Sequence, residues 1–256
     1  MNTVLDLDLD FFVWPIAYRR VRGRLPDGEC RHLASEPDVR QFLEQRCHLQ
    51  RPASIPGVDF VEHDEAFRVW RRWLKEGTLS NPFRVIHVDG HADLGLWDAS
   101  YLYIQVELLA FPPGRRWRPG RGPNKLNPGN YLAFAIACRW IRDLTLVYPT
   151  DPSCHVTWKP NQHPPDLQRM IFKDHDVGTR VIQLARYRPE DRSHLAAHTK
   201  CPQPVSIEPI VPVDWKPVGD FEFAGFTHIV VAQSPKYTPK SADHLLPVIR
   251  EYFTPA

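Results

Sequence analysis

The chain has 256 residues, 43% of them hydrophobic, and a formal net charge of +2. That length supports one large α/β domain or two small ones, and the balanced charge gives no electrostatic argument for nucleic acid or a membrane surface. The five cysteines (Cys30, Cys47, Cys138, Cys154, Cys201) are scattered without a CxxC pair, which disfavours a zinc ribbon or a disulfide scaffold. No apolar run approaches the roughly 18 residues of a membrane span. The N-terminus lacks the basic-then-apolar order of a signal peptide, so a soluble, cytoplasmic protein is expected.

In chain order, the alternation "VLDLDL" predicts a strand over 4–9. "SEPDVRQFLEQRC" predicts a helix capped by Ser35, with Pro37 in its first turn and Val39, Phe42 and Leu43 on one face. "DEAFRVWRRWLKEG" predicts a second helix, with Phe67, Trp70 and Leu74 facing the core and Gly77 past its end. "FRVIHV" (83–88) predicts a strand, "GNYLAFAIACRWI" (129–141) a helix, and "LTLVY" (144–148) a strand. Further strands are expected at 179–184 and 227–232, and a last helix over 241–253 that contains Pro247. Residues 110–129 form a Pro/Gly/Arg-rich insertion, and 150–170 and 185–204 read as irregular. Strands alternating with helices predict a single three-layer α/β domain whose mostly parallel central sheet is flanked by helices.

Two stretches carry chemistry. Asp6, Asp8 and Asp10 alternate with leucines at the start of the chain, so an extended backbone puts all three on one face. The strand 83–88 runs into Asp89-Gly90-His91-Ala92-Asp93, whose polar residues also share a side if the chain stays extended. Ligands of open α/β sheets bind at the carboxyl ends of strands. Side by side, the two strand ends offer four carboxylates and an imidazole, enough for two divalent ions that together activate a water. The set contains no thiolate, which favours Mn²⁺ over structural zinc. His63, between a short apolar run and the second helix, is a candidate further ligand.

These residues resemble the ureohydrolase superfamily of arginases, agmatinases and histone deacetylases. "DLDFF" (8–12), "EHDE" (62–65), "HVDGHADL" (87–94) and "SPKYTP" (234–239) are similar to a divergent branch, the peptide arginases. Those enzymes hydrolyse arginine side chains of ribosomally made precursor peptides to ornithine, releasing urea. The resemblance implies an arginase/deacetylase-like fold and two Mn²⁺ (Fe²⁺ or Co²⁺ being possible) held by Asp8, Asp10, His63, Asp89, His91 and Asp93. It also implies Asp93 as a proton carrier, and Asn130 and Tyr237 beside the substrate. The order of motifs differs, because here the Asp-x-Asp strand comes first, as in a permuted chain. The acid that grips a guanidinium has no aligned position, and Glu29 and Glu36 are the candidates. Where arginases carry a shuttle histidine, "GNYLAF" has Leu132. A long segment, 94–128, separates the Asp-His-Asp motif from Gly129, which suits a site open to peptide rather than to free arginine.

Blander roles compete. Asp6 reads as a supporting or solvated residue, His87 as a satisfied core histidine, "SPKYTP" as a tight proline turn, and the basic loop (Arg115, Arg116, Arg118, Arg121, Lys125) as solvated unless it holds an acidic leader of a precursor peptide. His155, His175 and His228 form no pattern. Rival functions are a phosphatase with an Asp-x-Asp nucleophile, a deacylase or another amidinohydrolase on the same fold, and a non-catalytic peptide-binding protein.

Overall fold

A computed structural model describes residues 1–17, 22–95, 99–122, 124–150, 181–197 and 202–256. Eight strands form one sheet: β1 (Thr3–Asp8), β2 (Pro56–Phe60), β3 (Phe83–Val88), β4 (Ile141–Tyr148), β5 (Val181–Ile182), β6 (Val211–Pro217), β7 (His228–Ala232) and β8 (Thr254–Pro255). Their spatial order is β8-β2-β7-β1-β3-β4-β6-β5, and every pairing is parallel except that of the edge strand β5. Among the described residues the α-helices are α1 (Glu36–Gln41), α2 (Glu65–Glu76), α3 (Ala99–Val106), α4 (Tyr131–Ala137), α5 (Arg192–Ala197) and α6 (Leu245–Arg250).

A parallel sheet is stable only with both faces covered, and two hydrophobic clusters do this. Val4, Val85 and Val230 pack with residues of α2, α3 and α4 on one face. Leu5, Leu7, Ile86, Val88, Ile229 and Val231 pack with α1 and α6 on the other. The period-two alternation of β1 thus has two buried sides, and Asp6 and Asp8 are as hidden as the leucines between them, at 0% and 2% exposure. Carboxylates so buried demand cationic or hydrogen-bonding partners.

The capping box of α1 is formed by Ser35 and Asp38, and α2 ends on Gly77 in the left-handed conformation. The inner face of α2 is set by Ala66, Phe67, Trp70 and Trp73, with Leu74 only partly buried. Several expectations are corrected. The helix expected over 129–141 stops at Ala137, because Arg139 takes a positive φ of 60° and Trp140 leads into β4. The last helix begins at Leu245, after a tight turn over Lys240–His244. Pro247 therefore sits in its first turn, where a missing N–H breaks no helical bond. The irregular stretch 185–204 contains α5 and one edge of a two-residue ribbon (Ala185–Arg186 with Ser206–Ile207). Among the described residues no helix is long and apolar enough to cross a membrane.

Candidate metal centre

Four neighbouring parallel strands, β2, β7, β1 and β3, end on one rim of the sheet. The turn after β2 delivers His63, the loop after β7 delivers Ser234 and Tyr237, β1 ends in Asp8, and β3 is followed by Asp89–Asp93. Neither acidic motif continues as a strand. Asp8 caps a tight turn over Leu9–Phe12 by accepting from the Asp10 N–H at 2.9 Å. That turn, rather than extension, carries Asp10 to the rim. Asp89 to Asp93 likewise leave the sheet: the His91 N–H donates back to Asp89 Oδ1 at 2.7 Å, and Asp93 adopts a φ of 45°. Ser234 has a φ of 47°. Left-handed non-glycine residues cost about 1–3 kcal/mol each and concentrate at functional sites. Gly90 is held close: a Cβ there would stand 2.8 Å from Ile16, and its N–H donates to Asp10 Oδ1 at 3.0 Å.

The six residues expected as ligands converge. His63 Nδ1 lies 2.9 Å from Asp8 Oδ2 and 3.1 Å from Oδ2 of both Asp89 and Asp93. His91 Nδ1 lies 2.8 Å from Asp10 Oδ2 and 3.4 Å from Asp89 Oδ1. Asp89 therefore turns one oxygen to each imidazole. His63 Nδ1 is fully buried and, despite three carboxylate oxygens so near, none lies in hydrogen-bonding alignment with it. An imidazole nitrogen aimed into a triangle of carboxylates could hold a divalent cation, and the residues fit one. Asp8, His63 and Asp89 form one ligand group, and Asp10, Asp89 and His91 another.

The electrostatics carry the same demand. Burial disfavours a charged His63, yet Asp6, Asp8 and Asp89 outweigh it and push the imidazole well above its ordinary range. His91 is raised in the same way, chiefly against burial and by Asp10. Burial, then the charges of Asp8 and Asp89, drive Asp10 up, and burial with Asp89 pushes Asp93 up to about 6. The cluster thus calls for positive charge, which protons or metal ions can supply.

Behind the centre lies a second layer. Asp6 pairs in register with His87 across β1 and β3, and its Oδ2 meets His87 Nδ1 at 2.9 Å. Asp6 Oδ1 meets His63 Nε2 at 3.1 Å. The Tyr131 hydroxyl donates to Asp6 Oδ2 at 2.5 Å and lies 2.9 Å from His63 Nε2. Burial would raise the Asp6 carboxyl, but His63 and His87 overcome it and hold it at about 2. Neither Asp6 nor His87 lines the cavity, and His87 Nε2 stands 3.3 Å from Asp89 Oδ2, in a group with Asp89 and Asp93 that could also hold an ion.

The six residues line a cavity of about 220 Å³ together with Pro128, Gly129, Ser234 and Tyr237. The Ser234 hydroxyl donates to Asp8 Oδ2, and the Tyr237 ring leans on His91 with centroids 4.8 Å apart. Other expected site residues lie elsewhere. Glu29 and Glu36 are exposed on the segment after β1 and do not line the cavity. Asn130 is buried, donating to the Ser100 hydroxyl at 2.7 Å and the Lys125 carbonyl at 2.8 Å, so it organises the loop rather than facing the cavity. Leu132 is core. His228 packs on Trp73; His155 and His175 lie outside the described residues. In the basic loop, Arg116 is buried against Glu208, Arg121 pairs with Asp64, and Lys125 lies over Tyr103; Arg115 and Arg118 are exposed. Tyr131 and Ser234 were missed by sequence reasoning. Each sits beside a residue that was weighed, Leu132 in "GNYLAF" and Tyr237 in "SPKYTP".

Compared with protein-family models, with curated proteins and with solved structures, the chain gives no match.

Proposed function

We propose that the chain is a metal-dependent amidinohydrolase of the peptide-arginase kind, converting arginine side chains of a precursor peptide to ornithine with release of urea. The observation that carries the metal-dependent part is Asp89, whose two oxygens face two different histidines, each with further carboxylates. One ion would be held by His63, Asp8, Asp89 and Asp93, and the other by His91, Asp10 and Asp89. Two ions so placed would supply a water-derived nucleophile at neutral pH, and the imidazole–carboxylate donors suit Mn²⁺, Fe²⁺ or Co²⁺.

The chain's own residues do the rest. Asp93, at the edge of the centre and lining the cavity, would take the proton of the attacking water and return it to the leaving amine. Ser234 fixes the Asp8 carboxylate. Tyr237 walls the cavity beside His91, offering a flat face to a guanidinium. The cavity is smaller than the roughly 300–1,000 Å³ usual for whole small-molecule ligands, which supports one inserted side chain. Its acidic residues among those described are the four aspartates of the centre, so this reading no longer assigns the guanidinium to Glu29 or Glu36. An acidic leader would meet Arg115 and Arg118, exposed arginines of the basic loop, whereas the exposed Arg121 is paired with Asp64.

The test is mass spectrometry of arginine-containing peptides incubated with Mn²⁺-loaded protein, beside an Asp89→Ala control. Loss of one cyanamide unit per modified arginine, with urea appearing and the control silent, is expected. Release of acetate or formate from acylated peptides instead would favour the deacylase reading. Binding without turnover by a protein holding two ions would defeat the arginase reading.

A further inference from the structure

We propose that the two ion positions are unequal, the one faced by His63 being the tight, resident position, and that the Asp6–Tyr131–His87 network behind His63 makes it so. The proposal rests on the metal-centre reading above and adds an order of binding and a role for three residues outside the cavity.

The first argument is the donor set. His63 Nδ1 is surrounded by oxygens of three aspartates within 3.1 Å. His91 Nδ1 has Asp10 at 2.8 Å and Asp89 only at 3.4 Å. More carboxylates in a drier place bind a divalent ion more strongly, and the His63 side chain is 2% exposed against 17% for His91.

The second argument is what each ring's other nitrogen meets. To present Nδ1 as a lone pair, either ring must carry its proton on Nε2. His63 Nε2 faces the Asp6 carboxylate and the Tyr131 oxygen, whereas His91 Nε2 meets the Ala17 carbonyl at 3.2 Å. A carboxylate behind a ligating histidine fixes its tautomer and raises its basicity. Asp6 can serve because it is itself fixed. Tyr131 donates to it, and His87 places one nitrogen on Asp6 and the other 3.2 Å from the His91 carbonyl. His87 Nε2 also stands 3.3 Å from Asp89 Oδ2, so the ring braces Asp6 on one side and the Asp89–His91 turn on the other. Asp6, His63 and His87 could themselves form a ligand group, but the Tyr131 hydroxyl already bonds all three side chains. The group therefore acts as a positioning network and not as a third ion site.

Single-position proteins test this. Chelator-stripped His91→Ala keeps the His63 position, and His63→Ala keeps the His91 position; Mn²⁺ binding to each is followed by the electron paramagnetic resonance signal of free Mn²⁺. His91→Ala is expected to bind one ion at least tenfold more tightly than His63→Ala. Adding Asp6→Asn should weaken binding about 10–100-fold in the His91→Ala background and leave the His63→Ala background unchanged. A merely structural loss would weaken both. If Asp6→Asn does not fold, as judged by circular dichroism, Tyr131→Phe replaces it with the same selective direction expected. Equal affinities, a tighter His63→Ala protein, or equal weakening in both backgrounds would overturn the proposal and leave the centre standing. Wild-type protein that binds no Mn²⁺ at all would overturn both.

Discussion

Asp89 is the residue on which most depends, because each of its oxygens answers to a different imidazole. Removing it should disable both positions together. For Asp89→Ala we expect Mn²⁺ affinity to fall by more than the roughly 10–100-fold seen when a supporting partner of a ligand is lost, checked by equilibrium dialysis. Asp93 belongs to the same scale. Protons and metal ions compete for its oxygens, and its carboxyl lies at about 6. His63, raised well above its ordinary range, takes up a proton in competition with the ion as well. Affinity at the His63 position should therefore already fall as pH drops from 8 and should steepen by about one further tenfold per unit below about 6 through Asp93, measured with an indicator dye from pH 5 to 8. A slope that does not steepen below that pH would remove Asp93 from the ligands. At this scale the carboxylates of the two strand ends and His91 were legible, because charged residues in so apolar a setting announce a charged site; His63 was not, since by pattern alone it reads as a capping or core histidine, and only the motif resemblance pointed to it. Tyr131 was not, since a tyrosine in "NYLAFAIA" reads as one more core aromatic until the fold turns its hydroxyl onto Asp6.

Elements were legible where pattern and breaker agreed. β1, β3 and β7 and helices α1 and α2 follow alternation, heptad-like spacing and caps. β2, "PGVDF", and β6, "VPVDWKP", contain prolines that argue against a strand in sequence, and their strand character comes from neighbours across the sheet. Gly57 in β2 has a packing reason: a Cβ there would lie 2.5 Å from the Phe253 ring. Gly57→Ala should cost about 1–3 kcal/mol by overpacking, read as a lower urea midpoint at unchanged slope; an unchanged midpoint would mean that Phe253 yields freely. Ser35→Ala, which removes the capping hydroxyl of α1, should cost about 1 kcal/mol in the same assay and leave metal binding alone, because α1 lies under the opposite face of the sheet from Asp6 and His63.

For the molecule as a whole, the strands that bear the Asp/His cluster are separated in sequence and adjacent in space, with β7 and β1 placed between β2 and β3. Motif order along the chain was visible from the start; that adjacency was not, because no local pattern states which strands neighbour each other. Once the strands are assembled, the early position of the Asp-x-Asp strand is no obstacle, since β1 occupies the middle of the sheet. A centre built from four strand ends links metal binding to the stability of the fold. Each ion held only by the folded state should stabilise it by about 2.7 kcal/mol at a hundredfold excess over its Kd. The central claim is that Asp/His side chains of these strand ends hold two divalent ions, and elemental analysis of Mn²⁺-loaded, desalted protein tests it most directly. Two ions per wild-type chain, with fewer than one in Asp89→Ala, is the expected result. No bound metal in the wild type, or the same content in the variant, would contradict it.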